Sequence, residues 1–302
     1  MTAAIMTVNQ ISPIVQLVTN AVSSDHTKRA YERALTEFMQ WVNDVQPGAF
    51  SKATVQAYVT ELRSAGASAS SINQRLTSIR KLAIESADNG LITESAAQAI
   101  CRVEGIRAEG RKLGQWLTKE QASAMIAAPD GETVKGLRDR ALLAVLLGCG
   151  LRREEIVSLT VGHIQQREGR WVIVDLVGKR NKTRSIPMPS WAKSAIDQWL
   201  GAAGIVDGAL FRPIWKSGKV QDRPMSAQAI WNTVTEYAGQ IGVEVAPHDL
   251  RRTFAKLARN GGAELDQIQL SLGHASVETT QRYVGDNQKL HNAPCDALGI
   301  QV

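Results

Sequence analysis

The sequence is poor in cysteine and lacks the common motifs that hold a metal ion or a nucleotide phosphate. Its three cysteines, Cys101, Cys149 and Cys295, are far apart and fit neither a disulfide framework nor a metal-ligand spacing. HExxH, CxxC and GxxxxGK[ST] motifs are absent, as is a closely spaced cluster of Asp and Glu for Mg²⁺. We therefore expect reduced thiols, a cytoplasmic location, no metal and no cofactor.

Long hydrophobic runs are also missing. No stretch of 18 or more apolar residues is present, and the first 24 residues lack the pattern of a secretory signal. These absences predict a protein without a membrane partner. The hydrophobic fraction of 44% is ordinary for a globular protein, and 302 residues suffice for two domains with separate cores.

Basic residues outnumber acidic ones, 35 to 29, which gives a net charge of +6 and a pI near 9.3. This balance favours a polyanionic partner such as nucleic acid, although solvated basic faces are frequent in proteins that bind none.

The first hundred residues show apolar side chains at intervals of three and four, the pattern of amphipathic helices. The repeating positions are Tyr31, Leu35, Phe38 and Val42, then Val55, Tyr58, Val59 and Leu62, then Ile72, Leu76, Ile79 and Leu82. Ser51 and either Ser70 or Ser71 are the expected N-caps. We predict an N-terminal tail over 1–24 and a helical domain over 25–102.

A glycine-rich and charged stretch over 103–115 has little apolar periodicity, which predicts a linker between two domains. A second domain over 116–290 should open with a helix that Thr118 caps, with Gln121 completing a capping box. Two β-prone runs flank Gly178-Lys179-Arg180-Asn181, which predicts a hairpin. The fold class expected is mainly α with a small β-sheet, an α+β arrangement in the second domain.

Six residues in the second half suit chemistry on a phosphodiester: Arg152, Lys179, His248, Arg251, His274 and Tyr283. Paired arginines can hold phosphate oxygens through their planar forks, and a lysine can donate a proton. Histidines can exchange protons near neutral pH, and a tyrosine hydroxyl can become a covalent nucleophile. The set therefore predicts a phosphoryl-transfer site.

Each of these residues also has an ordinary structural explanation. Arg152 could simply pair with Glu155 one helical turn later, and Lys182 competes with Lys179 for the role of proton donor on the hairpin. Tyr283 taken alone would more often bury its ring in a core. Most tryptophans, such as Trp199, lie in apolar helical patterns and are interpreted as core residues.

Four short segments carry a family resemblance: GLRREEI at 150–156, GKRNK at 178–182, HDLRRTFA at 248–255 and LGHASVETTQRYV at 272–284. Their order and spacing resemble those of the tyrosine recombinases, the group of phage integrases and Xer-type resolvases. Arg252 stands where many relatives have His, and Arg180 where many have Gly. Neither departure removes a member of the predicted set.

The resemblance implies a site-specific DNA recombinase that cuts and rejoins duplex DNA through a 3′-phosphotyrosyl intermediate. Tyr283 would be the nucleophile, Arg152 and Arg251 the phosphate clamps, and Lys179 the acid that protonates the departing 5′ oxygen. His248 and His274 would assist. The N-terminal domain would be the family's helical core-binding domain, which closes with the catalytic domain as a clamp around DNA.

The resemblance further implies a homo-tetramer on two recombination sites, with or without a second recombinase, and a C-terminal tail over 291–302 that docks on a neighbouring protomer. With only a tail before the first predicted helix, a simple two-domain enzyme is expected. Two alternatives stay open: a DNA-relaxing enzyme like the type IB topoisomerases, and an architectural DNA-binding protein with an idle site. The expected contacts to the DNA backbone are Arg75, Arg80, Lys81, Arg107, Arg111, Lys182 and Arg252.

Overall fold

A computed structural model of the 302-residue chain describes residues 8–45, 50–107, 115–178 and 183–285. By its internal contacts the chain divides into two compact units, Met1–Lys112 and Leu113–Val302. The division falls inside the segment 103–115 that the sequence predicts as a linker. Among the described residues, no helix is long and apolar enough to cross a membrane.

The first unit, as far as it is described, is built from helices around a single apolar core. Its helices are α1 (Val8–Asn20), α2 (Asp25–Val45), α3 (Lys52–Ser64), α4 (Ala69–Asp88) and α5 (Glu94–Cys101). Ser51 caps α3 as predicted, but α4 begins one turn earlier than expected, with Ser68 and not Ser70 or Ser71 as its N-cap. Ser68 holds that position because its hydroxyl accepts from the backbone N–H of Ser71.

The predicted N-terminal tail over 1–24 is wrong in one respect, since it contains helix α1. Ile14 and Val18 are one helical turn apart, and both are buried in the core of the first unit, at 3% and 0% exposure. Removing two aliphatic side chains from water stabilises this segment against the bundle by about 1.5–3 kcal/mol per side chain. The sequence did not predict α1 because a short apolar stripe indicates a helix only once a core is present to cover it.

The second unit combines eight helices with one small sheet in its described part. The helices are α6 (Lys119–Ala127), α7 (Val134–Cys149), α8 (Arg153–Val157), α9 (Ser190–Ala203), α10 (Ala227–Gln240), α11 (Pro247–Asn260), α12 (Leu265–Leu272) and α13 (Val277–Val284). Thr118 and Gln121 form the predicted capping box at α6. The mainly helical fold class with a small sheet is confirmed.

The sheet is antiparallel, with β1 (Ile164–Arg167), β2 (Arg170–Val177) and β3 (Thr183–Pro187) in that order. Ile173 on β2 pairs with Ile164 on one side and Ile186 on the other. A bulge interrupts β2 beyond Ile173, where Asp175 has a positive φ of 53°. The paired strands β2 and β3 flank the predicted hairpin turn, whose residues 179–182 lie outside the described part of the chain.

Helix α7 lies in the core of the second unit and sets the position of the chain that follows it. Its residues 141–147 are all buried. The helix ends at Gly150, with φ of 60°, where a Cβ atom would lie 2.5 Å from a ring carbon of Phe254 on α11. Only glycine fits both the left-handed backbone and this close approach. Gly150 thereby turns the chain so that residues 151–153 run alongside the start of α11.

Cys149, the last residue of α7, is fully buried. Burial raises the pKa of its thiol to about 12, so the thiol stays protonated and unreactive. Cys149 therefore serves in packing the core of the second unit.

Candidate active site

Arg152 lies immediately before α8 and pairs with Glu155, the structural alternative that the sequence left open. Its Nη1 donates to Glu155 Oε1 at 2.8 Å, and its backbone N–H donates to Glu155 Oε2 at 2.8 Å. The Arg152 side chain is still 30% exposed. It lines two cavities, one with His248 and Arg251 and one with His274. The ion pair and a ligand-facing position are therefore compatible.

His248 and Arg251 lie one helical turn apart near the start of α11, which has Pro247 as its first residue. Arg251 is 1% exposed and donates from Nη1 to the carbonyl of Gly150 at 2.6 Å and from Nη2 to the carbonyl of Leu272. Burial, followed by repulsion from Arg152, lowers the pKa of its guanidinium to about 10. Carbonyl oxygens orient this cation without neutralising it.

Tyr283 is placed by helix α13, which Ser276 caps. The Tyr283 hydroxyl lies 3.2 Å from His248 Nε2 and 3.2 Å from the His248 carbonyl oxygen. Its ring meets the His248 and His274 rings edge to face, with centroids 5.5 Å and 5.2 Å apart. Arg252 places its guanidinium carbon 5.1 Å from the same ring. The tyrosine expected from the sequence thus packs its ring and also directs its hydroxyl toward a histidine.

The protonation states of this group follow from burial and from the surrounding arginines. Burial raises the pKa of Tyr283 above its usual value, so the hydroxyl keeps its proton at neutral pH. Burial, together with the charge of Arg251, lowers the pKa of His248 and lowers that of His274 to about 4. At pH 7 both imidazoles are neutral. His248 can accordingly accept the proton that Tyr283 must lose to become a nucleophile.

His274 is fixed by a neighbour on the tyrosine helix. Its Nδ1 lies 3.0 Å from the hydroxyl of Thr280, a residue with no exposed surface. This contact holds the imidazole by Nδ1, and no residue in the described part of the chain hydrogen-bonds Nε2, which can therefore serve as the second hydrogen-bonding group.

Two cavities adjoin Arg152. One of about 370 Å³ is lined by Trp231, Pro247, His248 and Arg251. The other, of about 440 Å³, is lined by Arg184, Leu270 and His274 and by Gly178 and Thr183 at the base of the hairpin. Both combine positive charge with apolar walls, a combination that suits a phosphate with an organic substituent on each side.

The structure brings together five of the six predicted catalytic residues. Arg152, His248, Arg251, His274 and Tyr283 are linked by the contacts above. Lys179 and its rival Lys182 lie outside the described residues, as does the predicted DNA contact Arg111.

The other predicted DNA contacts are placed as follows. Arg75 donates to Glu37 from Nη2 at 2.7 Å, and Arg80 donates to the carbonyl of Val103. Both guanidinium groups are therefore engaged inside the first unit. Arg107 is exposed and Lys81 is half-buried. Arg252 lies beside Tyr283, with Nη1 3.8 Å from Asp249.

Sequence reasoning missed Arg184 and Thr280. Arg184 lies on β3 and donates both terminal nitrogens to Glu155, at 2.9 Å each. Its only signal in the sequence is its place just beyond the hairpin turn, which does not reveal a partner 29 positions earlier. Thr280 falls one turn before Tyr283, a spacing that predicts a shared helix but not a contact with His274.

Both units of the chain match families of known proteins. Residues 115–289 match the family described as "Phage integrase family", and residues 16–85 match "Phage integrase, N-terminal SAM-like domain". A tyrosine recombinase XerC of Xylella fastidiosa strain 9a5c is 32% identical, and a tyrosine recombinase XerD of Pseudomonas aeruginosa is 29% identical. Each match covers 86% of both chains.

The solved structures extend the similarity to the fold. A XerH site-specific recombinase bound to palindromic difH substrate has a TM-score of 0.70 at 17% identity, covering 93% of this chain and 82% of that one. A lambda integrase dimer bound to a COC′ core site has a TM-score of 0.68 at 15% identity, covering 91% and 75%. The family match, spanning more than half of the sequence, identifies this chain as a member of the phage integrase family.

Proposed function

We propose that this protein is a site-specific DNA recombinase that cleaves and rejoins duplex DNA through a 3′-phosphotyrosyl intermediate. The observation that carries the proposal is the 3.2 Å contact between the Tyr283 hydroxyl and His248 Nε2, beside Arg152 and Arg251. A nucleophile, a neutral base and two cations for phosphate oxygens meet in one site. The relatives named above are recombinases, and several related structures contain DNA.

The cleavage step would proceed by in-line displacement at the scissile phosphate. The Tyr283 oxygen forms a bond to phosphorus, while the bond from phosphorus to the 5′ oxygen breaks. His248 takes the tyrosine proton, and the departing 5′ oxygen leaves as a hydroxyl after gaining a proton from Lys179. The reverse reaction, with a new 5′ hydroxyl as nucleophile, rejoins the strand.

Arg152 and Arg251 would hold the non-bridging oxygens as negative charge develops on them. Arg251 is suited to this role because its hydrogen-bond partners among the described residues are carbonyl oxygens and not a carboxylate. Bringing a phosphate to this site relieves the repulsion between the two arginines. The phosphotyrosyl ester retains the energy of the broken bond, and rejoining therefore needs no separate energy source.

Exchange of two strand pairs requires four active sites on two duplexes, so the working assembly we propose is a homo-tetramer on DNA. The C-terminal segment 291–302, which lies outside the described residues, would couple neighbouring protomers. Its deletion should reduce tetramer yield on DNA more than first-site binding, as measured by light scattering and gel shift. Equal tetramer yield from the shortened chain would contradict this role.

The proposal is tested by trapping the covalent intermediate. Duplexes that the protein binds are first selected from DNA flanking its gene, then nicked near the binding centre so that a cut strand is lost and rejoining fails. The wild type should give an adduct that survives SDS, whereas Tyr283→Phe should bind the same duplex and give none. Binding without adduct at every nick position would contradict the proposal.

A supercoiled plasmid without the selected sequence separates the recombinase from a DNA-relaxing enzyme. Relaxation of that plasmid at the rate seen with the selected site would favour the topoisomerase-like alternative. Dependence on the selected site, with product exchange between two sites, would favour the recombinase.

A further inference from the structure

Arg184, on strand β3, is hydrogen-bonded to two other parts of the candidate active site, α8 and the end of α12. Its Nη1 and Nη2 donate to the two oxygens of Glu155 at 2.9 Å each, and its Nε donates to the carbonyl of Ser271 at the end of α12 at 3.0 Å. The side chain itself extends from β3, next to the hairpin. Each of its three nitrogens donates a hydrogen bond within the protein, and the side chain is only 11% exposed.

The stem of Arg184 also fits closely against the turn that leads to His274. A Cβ atom at Gly273 would lie 3.0 Å from Arg184 Cδ, and Gly273 has a φ of 61°. The carbonyl of Leu272, the residue before Gly273, accepts a hydrogen bond from Arg251. Arg184 therefore contacts the same short segment that orients Arg251 and His274.

Glu155 is the shared partner of Arg184 and Arg152. It is 4% exposed and accepts from both terminal nitrogens of Arg184, from Arg152 Nη1 and from the Arg152 backbone N–H. Burial alone would raise the pKa of this carboxyl, but the hydrogen bonds from Arg184 and from the Arg152 backbone hold it below its usual value. Glu155 is thus an ionised, almost fully occupied acceptor.

Sharing Glu155 with Arg184 determines which nitrogens of the Arg152 guanidinium donate to the carboxylate. Because Arg184 and the Arg152 backbone N–H already occupy Glu155, the Arg152 guanidinium reaches the carboxylate with Nη1 only. Among the described residues, none accepts a hydrogen bond from its Nε or Nη2. Those donors are the ones left for a phosphate oxygen.

We propose that Arg184 is a positioning residue that holds Arg152 in its phosphate-binding orientation through Glu155 and ties this pair to the end of α12. The inference rests on the proposed recombinase function and adds a residue to it. Without Arg184, a buried carboxylate would be left with one cationic partner. Glu155 would then draw Arg152 into a two-pronged pair, and the guanidinium would turn away from the phosphate.

Arg184→Gln and Arg184→Lys test the proposal, with Arg167→Gln as the matched control. Arg167 is an exposed arginine on β1 of the same sheet, hydrogen-bonded to Gln165. Adduct formation on the nicked duplex should fall about 100-fold for Arg184→Gln, since a displacement of about 1 Å in a positioning group can have that effect. The lysine variant keeps the charge without the fork and should lose about 10-fold. Arg167→Gln should match the wild type.

Testing Arg184→Gln in an Arg152→Lys background separates a positioning role of Arg184 from a general structural one. If Arg184 acts through Arg152, then adding Arg184→Gln to Arg152→Lys should slow adduct formation by less than about threefold more, because coupled residues are not additive. DNA affinity at fixed salt should stay within about twofold of the wild type in the single variants, since orienting a buried partner leaves the many backbone contacts unchanged.

The outcomes are distinct. The same large loss in both the wild-type and Arg152→Lys backgrounds would make Arg184 merely structural and overturn the inference, as would normal adduct formation by Arg184→Gln. Should Arg184→Gln fail to fold, the lysine variant carries the same comparison. No adduct from wild-type protein on a bound duplex would instead refute the proposed function, and the inference would fall with it.

Discussion

Arginine serves different purposes in the two units of this protein. In the first unit, Arg75 and Arg33 both donate to Glu37, so a carboxylate on α2 gathers two cations at the surface of the bundle. In the second unit, the partners of Arg251 are the carbonyls of Gly150 and Leu272, and it is almost fully buried. A carboxylate compensates the positive charge of Arg75, whereas the hydrogen-bond partners of Arg251 among the described residues are neutral carbonyls.

The pKa shifts of the two arginines have opposite signs. Burial alone would lower the pKa of Arg75, but its hydrogen bonds to Glu37 raise it. For Arg251, burial and repulsion from Arg152 act together and lower the pKa to about 10. An arginine that is held by neutral carbonyls and repelled by a second arginine is stabilised when an anion binds. An arginine already paired with a carboxylate is stabilised little by a further anion.

The largest expected effect is the difference in cleavage rate between the Arg251→Lys and Arg75→Lys variants. Arg251→Lys should reduce the single-turnover cleavage rate about 1000-fold, because it removes a donor aimed at the developing charge on phosphate. Arg75→Lys should change that rate by less than about twofold, because its charge is already used by Glu37. Both rates are measured as adduct formation on the nicked duplex at saturating protein. Similar losses in the two variants would break the comparison.

A smaller effect is expected from His248, the neutral partner of the nucleophile. His248→Ala should slow cleavage about 100-fold, the lower end of what a general base contributes. Since the pKa of His248 is lowered from 6.5, the wild-type rate should still exceed half its plateau value at pH 6.5 and reach half only in more acid solution. Single-turnover cleavage from pH 5 to pH 8 measures both. A wild-type rate that already halves near pH 7 would contradict the lowered pKa.

The third effect concerns stability and belongs to His274. Its pKa is about 4 in the folded protein and 6.5 ordinarily, so between these values the unfolded chain binds a proton that the folded protein does not. Stability should therefore fall as pH is lowered from 6.5 toward 4, by about 1–3 kcal/mol after allowance for solvent screening.

Urea unfolding of the wild type and His274→Asn at pH 7 and pH 4.5 measures this contribution. The asparagine variant lacks the titrating group and should lose less stability across the interval. An identical loss in both proteins would show that His274 does not titrate in this window.

The smallest effect should come from the ion pairs that Glu37 forms with Arg33 and Arg75 in the first unit. Glu37→Gln removes the acceptor that Arg33 and Arg75 share, and should destabilise the first unit by about 1 kcal/mol. Amide hydrogen exchange in α2 and α4 reports this loss locally, while adduct formation should be unchanged. A cleavage defect in Glu37→Gln would show that the first unit's ion pairs also serve the chemistry.

Much of the local structure was predictable because it depends on neighbours in the chain. Ser51 and the pair Thr118 and Gln121 have the cap positions expected of them, since a cap needs only a hydroxyl three residues before an N–H. Ser68 was missed because several serines are adjacent, and the sequence does not show which of them leaves the helical conformation. Helix α1 was missed because a short apolar stripe acquires meaning only when a core is present to cover it.

The sequence by itself determined the chemistry available to this protein, the order of its motifs and the family to which they belong. Tertiary structure decided how those groups are connected: His248 meets Tyr283 across 35 positions of chain, and Arg184 reaches Glu155 from another element. The same residues also permit other pairings, such as Arg152 with Glu155 alone. The choice among them depends on packing, because a charge-assisted hydrogen bond forms only where the backbones of β3, α8 and α12 bring donor and acceptor within about 3 Å.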